Sequence, residues 1–247
     1  IEDRFTDAYL ETLGLDIPVA VMPMPLAGTT GPGTLISNLV VANCEVLAVL
    51  CLLQVAQPGT PVIYAPFPAI SNPYDGRYGS GDVEHSLIGA AVTELARFYG
   101  LPVEASTGGS DHHVPGIQAG YERALNFVLP VLARPDLLVA PGLLGGSMIF
   151  SPEQFMIDME ILRRCQRLSR GIGTGPEAWL EDVIAQVGPG GNFLSQRSTV
   201  EALRAGELYT YGVGWHEPFE RWETQDRPDI LTEAQIQVEQ ILKDHHP

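Results

Sequence analysis

The loop at residues 107–116 carries the densest set of side chains able to do chemistry. Asp111, His112 and His113 are consecutive in it, and Glu104 precedes them in a short apolar run. A carboxylate inside a buried strand is costly unless it is paired or functional, so we expect Glu104 to face a site. Asp111 either holds a cation or caps the following helix. The two histidines are possible metal ligands, but adjacent residues seldom face one ion, and we predict no metal site.

Aromatic residues are concentrated at and after the preceding apolar run. They are Tyr64, Phe67, Tyr74 and Tyr78. Aromatic faces attract a desolvated cation, with each contact contributing roughly 0.5–2 kcal/mol. These side chains therefore either form part of a cage around a cationic ligand or pack the loop against the rim of the fold. Tyr64 is the leading cage residue because it lies at the end of its run.

Glycines accompany both the acidic loop and the loop after it. Gly108 and Gly109 precede Asp111, and Gly142, Gly145 and Gly146 lie in the stretch PGLLGGSMIFS. Glycine permits close approach of the backbone to a ligand, such as a substrate carboxylate, and serves equally in tight turns. The phosphate-loop signature with its lysine is absent from the sequence.

These loops belong to a repeated pattern of a short apolar run, a polar loop and a helix-length segment. Four runs, at residues 18–25, 61–66, 102–106 and 137–140, are followed by helices predicted at 35–56, 83–98, 117–133 and 152–168. Such alternation predicts a parallel sheet with right-handed crossovers. The loops after the strands, beginning near Ala27, Phe67, Thr107 and Pro141, are long. Because ligands bind at the carboxyl ends of parallel strands, we predict that these four loops form the active face.

The pattern changes after Gly171. Helices are predicted at 177–187, 200–205 and 232–244, around an aromatic and acidic stretch. We assign residues 1–170 to the repeated units and residues 171–247 to a helical extension that packs on them and offers a partner surface. Four units leave two sheet edges open, so we expect an N-terminal half beyond Ile1 or a homo-oligomer to complete the fold.

Composition excludes several classes of function. The net charge of −16 repels phosphates, which argues against nucleic-acid binding. No uninterrupted apolar run reaches the length of a membrane span. Three cysteines without short spacing fit a reducing cytoplasm, and we expect Cys44 and Cys51 to be buried core thiols. Lys243 is the single lysine, which argues against a Schiff-base aldolase.

Several stretches together resemble one known family. They are PMPLAGTTGPGTL, PGTPVIY, ARFYGLP, AGYERAL and VGPGGNFL, in order along nearly the whole chain. The chain is similar to the C-terminal half of trimethylamine methyltransferases and their quaternary-amine relatives. The resemblance implies an α/β fold of the (β/α)8 TIM-barrel type, with about half of the barrel in this chain. It also implies transfer of a methyl group from a small methylated amine to the cobalt of a separate corrinoid protein.

The resemblance also assigns roles to the residues above. Some family members carry pyrrolysine in or near the third loop, where this chain has only standard residues. We therefore expect a quaternary amine such as glycine betaine rather than trimethylamine as the substrate, and no cofactor bound tightly to this chain. Glu104 and Asp111 become the catalytic candidates, and the other expected roles divide as follows. Substrate binding falls to Tyr64, Phe67, Tyr74, His112, His113, Gly108 and Gly109, and the corrinoid-facing loops to Gly142, Gly145 and Gly146.

Two other functions fit the residues. A metal-dependent TIM-barrel lyase would use Glu104, Asp111 and the histidine pair. A non-catalytic or fragmentary half-barrel paralogue would only associate with a partner.

Overall fold

The structure is a computed structural model that describes residues 3–246. Strands and helices alternate through its first two thirds. The strands are β1 (Val19–Val21), β2 (Leu26–Ala27), β3 (Val62–Tyr64), β4 (Ala69–Ser71), β5 (Tyr78–Gly79), β6 (Glu104–Ser106), β7 (Leu137–Val139), β8 (Leu143–Leu144) and β9 (Ile149–Phe150). The helices are α1 (Asp3–Glu11), α2 (Leu35–Ala56), α3 (Glu84–Tyr99), α4 (Ile117–Ala133), α5 (Pro152–Arg170), α6 (Glu181–Val187), α7 (Arg197–Arg204), α8 (Phe219–Thr224) and α9 (Ile230–Asp244), with a 3-10 turn at Pro176–Ala178.

The four strands predicted from the apolar runs lie side by side. β1 pairs in parallel with β3, and β6 pairs in parallel with β7. A parallel bridge between Tyr64 and Val103 joins the two pairs, so the order is β1-β3-β6-β7. Along the chain, a helix separates each of these four strands from the next one: α2, α3 and α4 respectively. The α/β class predicted from the sequence is confirmed, while closure into an eight-stranded barrel stays a prediction.

One face of this strand row packs on helices and the other does not. The largest apolar cluster joins alternate strand residues, such as Val21, Val62 and Val103, to the inner faces of α2 and α3. Side chains alternate between the faces of a strand, so Ala20 and Ile63 point to the opposite side, where Ala20 is exposed and Ile63 is half-buried. Short buried strands thus carry their apolar residues mainly toward the helices.

α2 is long and apolar enough to cross a membrane by length and composition alone. A core helix of a soluble protein meets the same criterion, and one side of α2, including Val46 and Leu53, is buried in the main apolar cluster. The expectation that Cys44 and Cys51 are buried is wrong, because both are exposed. α2 is apolar around its whole circumference, so its sequence does not reveal which side faces the core.

Local signals define the helix ends. Gly100 ends α3 in the left-handed conformation at φ 67°, with its N–H bonded to the Ala96 and Arg97 carbonyls, as expected for a helix C-terminus. Ser151 caps α5, because its hydroxyl accepts a hydrogen bond from the Gln154 N–H at 3.1 Å. The predicted bounds of α2 and α4 match the structure, and those of α3 and α5 differ by one or two residues.

Residues 171–246 carry the 3-10 turn and the helices α6 to α9, joined by long connecting segments. None of residues 171–212 is buried. α9 returns to pack on α5, and Ile157, Val213 and Ala234 form a small apolar cluster there. The division at residue 170 and the use of the extension as a partner surface stay predictions.

Candidate active-site cleft

A cleft of about 810 Å³ opens among the second, third and fourth strand-to-helix loops. The second loop contributes the β4–β5 hairpin, in which Ile70 pairs antiparallel with Gly79. The third contributes the turn after β6, and the fourth the β8–β9 hairpin. The principal lining residues are Asn72, Tyr74, Arg77, Tyr78, Asp82, Glu84, Asp111, His113, Gly145, Gly146 and Met148.

Three carboxylates line this cleft, those of Asp82, Glu84 and Asp111. Asp82 is half-buried, and burial together with the nearby charges of Asp111, Glu84 and Glu122 raises its pKa above the ordinary value. Mutual repulsion of this kind is relieved by a cation bound among the carboxylates. Arg77 also lines the cleft, but its guanidinium is paired with Asp75 on the exposed side of the hairpin. The charged residues that line the cleft are therefore mainly carboxylates, a balance that favours a cationic ligand over an anionic one.

Aromatic groups stand next to the carboxylates. Tyr74 is 95% exposed on the hairpin, so its ring is available to a ligand. Tyr78 is half-buried, and burial raises the pKa of its hydroxyl, so it is neutral at ordinary pH. Behind Tyr78, the Phe67 and His85 rings stack with centroids 5.4 Å apart, and the Tyr78 ring meets them edge-on.

His85 fixes the base of this aromatic group. It is 1% exposed, and burial lowers its pKa, which favours the neutral ring. Its Nε2–H donates to the Gly79 carbonyl at 2.8 Å, so the proton lies on Nε2 and Nδ1 is an acceptor. The ring thus anchors the β5 end of the hairpin beneath Tyr78.

Asp111 connects two of the loops. Its Oδ1 accepts a hydrogen bond from the Ser80 N–H at 2.8 Å. Gly109 makes this approach possible, because a Cβ there would lie 2.3 Å from Ser80 Oγ. Gly108 and Gly109 are buried beneath the cleft and do not line it. Their closeness to the second loop is the structural reason for two successive glycines.

The histidine pair separates in space. His112 turns its Nδ1 toward the Val114 carbonyl of its own loop at 2.7 Å. His113 is exposed on the cleft wall beside Gly145. Among residues 3–246, no group of three or more His, Cys, Asp or Glu side chains is arranged to hold a metal.

The structure does not bring Tyr64 to the cleft. Tyr64 is fully buried on the helix-facing side of the sheet, and its hydroxyl donates to Asn43 Oδ1 on α2 at 2.8 Å. Glu104 follows Val103, the parallel partner of Tyr64, and therefore points to the opposite face. Glu104 is half-buried there, and burial raises its pKa. Tyr64, Glu104 and Asp111 therefore do not converge on one pocket.

Gly142 also differs from its expected place on a corrinoid-facing rim. It is buried, and a Cβ there would lie 2.7 Å from the Phe150 ring. The chain itself fills the space beside it. Gly146, in contrast, has only the Tyr78 carbonyl oxygen near its Cβ position, at 3.9 Å. Of the three fourth-loop glycines, Gly145 and Gly146 line the cleft and Gly142 supports it.

Similarity to known proteins shows which family this chain belongs to. The family model for trimethylamine methyltransferase matches residues 1–247. The chain belongs to the trimethylamine methyltransferase family. The trimethylamine methyltransferase MttB2 of Methanosarcina mazei is 34% identical over 232 residues, 93% of this chain and 46% of that protein. The glycine betaine methyltransferase of Desulfitobacterium hafniense is 33% identical over 247 residues, 100% of this chain and 51% of that protein.

The chain spans about half the length of the curated relatives it matches. The resemblance seen in the sequence is confirmed. The relatives are methyltransferases, but their names include both a tertiary and a quaternary amine as substrate, so family membership does not distinguish these two substrate classes.

Sequence reasoning did not assign roles to Asp82, Glu122 and Arg123. Asp82 follows the aromatic loop, and its position just before α3 was the available signal. Glu122 and Arg123 share their helix face with buried Ala119, Asn126 and Phe127. That spacing of three, four, seven and eight residues marks the buried side of a helix, and charged residues on it indicate a paired network.

Proposed function

We propose that the complete protein containing this chain transfers a methyl group from a small quaternary amine, of the glycine betaine kind, to the cobalt of a separate corrinoid protein. The cleft in which Asp82, Glu84 and Asp111 stand beside Tyr74 and Tyr78 carries the proposal. Family membership supplies the reaction class.

The cleft suits a permanent cation. A quaternary ammonium has no N–H to donate, so it is held by charge and by aromatic faces rather than by directed hydrogen bonds. Half-buried carboxylates and the Tyr74 and Tyr78 rings provide both. The leaving group is a neutral amine, so the transfer needs no general acid. The work of the side chains is to bind the cation, exclude water and direct one methyl group outward.

The fourth loop offers a surface that fits a corrinoid ring. A corrinoid, when bound, supplies cobalt(I) as the methyl acceptor. Gly145 and Gly146 adopt positive φ angles on the cleft wall, and the space above Gly146 is open. These residues would lie against the flat ring, while Gly142 is already packed by Phe150. We further propose a cytoplasmic location, supported by the free thiols Cys44, Cys51 and Cys165.

The test is methylation of cob(I)alamin by the complete polypeptide in which this chain occurs. Glycine betaine, other betaines, tetramethylammonium and mono-, di- and trimethylamine are offered separately, and the loss of cob(I)alamin is followed by UV–visible spectroscopy. We expect turnover with a quaternary amine and much slower turnover with trimethylamine. Turnover with trimethylamine alone contradicts the substrate assignment, and no turnover with any compound contradicts the enzymatic proposal.

A further inference from the structure

Two adjacent charged residues of α4 lie beneath the cleft without lining it. Glu122 is 9% exposed and Arg123 is completely buried. Full burial of an arginine is rare unless its charge and donors are satisfied. Their contacts show what this arrangement holds in place.

Glu122 holds the tip of the third loop. Its Oε2 accepts hydrogen bonds from the Ser110 hydroxyl and from the Asp111 N–H, the latter at 3.1 Å. Its carboxyl carbon would lie 2.6 Å from a Cβ at Gly81. Glu122 therefore contacts the second loop and the third loop together, directly behind Asp111.

Arg123 holds the base of the same loop. Its Nη1 donates to the Thr107 carbonyl at 3.2 Å and to the Gly108 carbonyl. Its Nη2 donates to Thr107 Oγ1 at 3.2 Å and to the Ala140 carbonyl at 3.0 Å. One planar guanidinium thus joins the third loop to the beginning of the fourth, a geometry that the single ammonium of lysine cannot reproduce.

Asp158 of α5 completes the connection. Its Oδ2 accepts from Arg123 Nε at 3.0 Å and from the Gly142 N–H at 2.7 Å, while its Oδ1 accepts from Gln154 Nε2 at 2.8 Å. Both Arg123 and Asp158 have fully buried side chains. A buried ion pair is weak as a source of stability compared with an apolar pair, so its many contacts to loop backbone indicate a role in geometry.

We propose that Glu122 and Arg123, with Asp158, are positioning residues that set the third loop against the fourth and thereby hold Asp111 at the cleft beside Gly145 and Gly146. This inference rests on the proposed function for its ligand. The positioning of the loops is independent of the proposed function, because Glu122, Arg123 and Asp158 join the loops whether or not an amine is the substrate.

The experiment compares Arg123→Lys and Glu122→Gln with Arg164→Lys in the complete polypeptide. Arg164 is half-exposed and pairs with the buried Glu160 at 3.0 Å in the body of α5, so its variant is a control for loss of an arginine–carboxylate pair away from the cleft. Binding of glycine betaine and of tetramethylammonium is measured by calorimetry, at least about 15 °C below each melting temperature so that unfolding is negligible.

We expect Arg123→Lys and Glu122→Gln to raise the dissociation constant about tenfold with unchanged stoichiometry, and Arg164→Lys to leave it within about twofold. A merely structural role would lower the number of competent sites and leave their dissociation constant unchanged. That result would overturn the proposal.

Failure of the proposed function is recognised separately, because the wild-type protein would then bind neither probe. In that case amide hydrogen exchange at residues 107–111 and 142–146 decides the inference. We expect exchange there to be about tenfold faster in Arg123→Lys than in Arg164→Lys. Equal exchange rates in the two variants would overturn the positioning role.

Discussion

The carboxylate of Asp111 accepts a hydrogen bond from the backbone N–H of Ser80 at 2.8 Å. Ser80 is fully buried at the end of the hairpin loop, so this N–H has no access to water as an alternative partner. One side chain therefore contributes both a negative charge to the cleft and a bond that holds the second loop against the third.

These two roles of Asp111 can be separated by substitution. Asp111→Asn keeps the Oδ1 acceptor and removes the charge, so we expect about five- to tenfold weaker binding of tetramethylammonium with a melting temperature within about 2 °C of wild type. Asp111→Ala also leaves the Ser80 N–H unsatisfied, which costs about 1–3 kcal/mol. Calorimetry and thermal unfolding check both. Equal melting temperatures for the two variants would contradict the bridging role.

We expect the protein to become more stable when the negative charge of Asp82 is removed. Burial and neighbouring carboxylates raise the pKa of Asp82 above the ordinary 3.8. Ionisation of Asp82 therefore lowers the free energy of unfolding at pH values above the pKa that Asp82 has in the unfolded chain. The penalty fades as the pH falls through the raised pKa of the folded protein toward the pKa of the unfolded chain. We expect Asp82→Asn to raise the melting temperature at pH 7, by a margin that shrinks toward pH 4, while weakening cation binding.

Asp75 provides the control for that pH series. Its hydrogen bonds with Arg77 lower the pKa of Asp75, so ionisation is favoured in the folded protein and Asp75→Asn has the opposite sign, with a small effect because the pair is exposed. Circular dichroism between pH 3.5 and 8 follows both variants. A lower melting temperature for Asp82→Asn at pH 7 would rule out repulsion among the cleft carboxylates.

Tyr64 and Tyr74 are expected to respond oppositely to substitution. Tyr64→Phe removes the hydroxyl that donates to Asn43, so we expect a loss of about 1–2 kcal/mol of stability and no change in cation affinity. Tyr74→Ala removes an exposed ring from the cleft, so we expect severalfold weaker tetramethylammonium binding and unchanged stability. If Tyr64→Phe weakens binding as Tyr74→Ala does, Tyr64 belongs to the site after all.

Alanine substitutions at Gly108 and Gly100 distinguish the cost of steric crowding from the cost of backbone strain. Both have positive φ angles, 62° and 67°, but a Cβ at Gly108 would lie 2.7 Å from the Ser80 carbonyl oxygen, whereas nothing lies within 4 Å at Gly100. Each alanine variant bears the left-handed penalty of about 1–2 kcal/mol. We expect Gly108→Ala to lose a further 1–3 kcal/mol, roughly, through overpacking. Chemical denaturation measures the free energy of unfolding of both variants. Equal losses would show that the second loop moves aside without cost and that Gly108 is not crowded.

The sequence predicted the elements whose signals are local. The alternation of apolar runs, polar loops and helix-length segments predicted α2 and α4 with their bounds. In the structure the local residues Gly100 and Ser151 set helix ends through their backbone and capping preferences. The short hairpins β4–β5 and β8–β9 were not predicted, because two- and three-residue strands carry too little periodicity to be distinguished from loops. Those hairpins form the walls of the cleft.

The sequence by itself determined the α/β order and the family, and it predicted the three loops that line the candidate cleft together with a first loop that does not line it. Only the tertiary structure decided which side chains reach the cleft. Tyr64 is the last residue of β3 and Glu104 is the first residue of the adjacent β6, and the register that pairs Tyr64 with Val103 sends their side chains to opposite faces. Register and helix packing depend on contacts between residues distant in the chain, and the same is true of the buried contacts of Glu122 and Arg123.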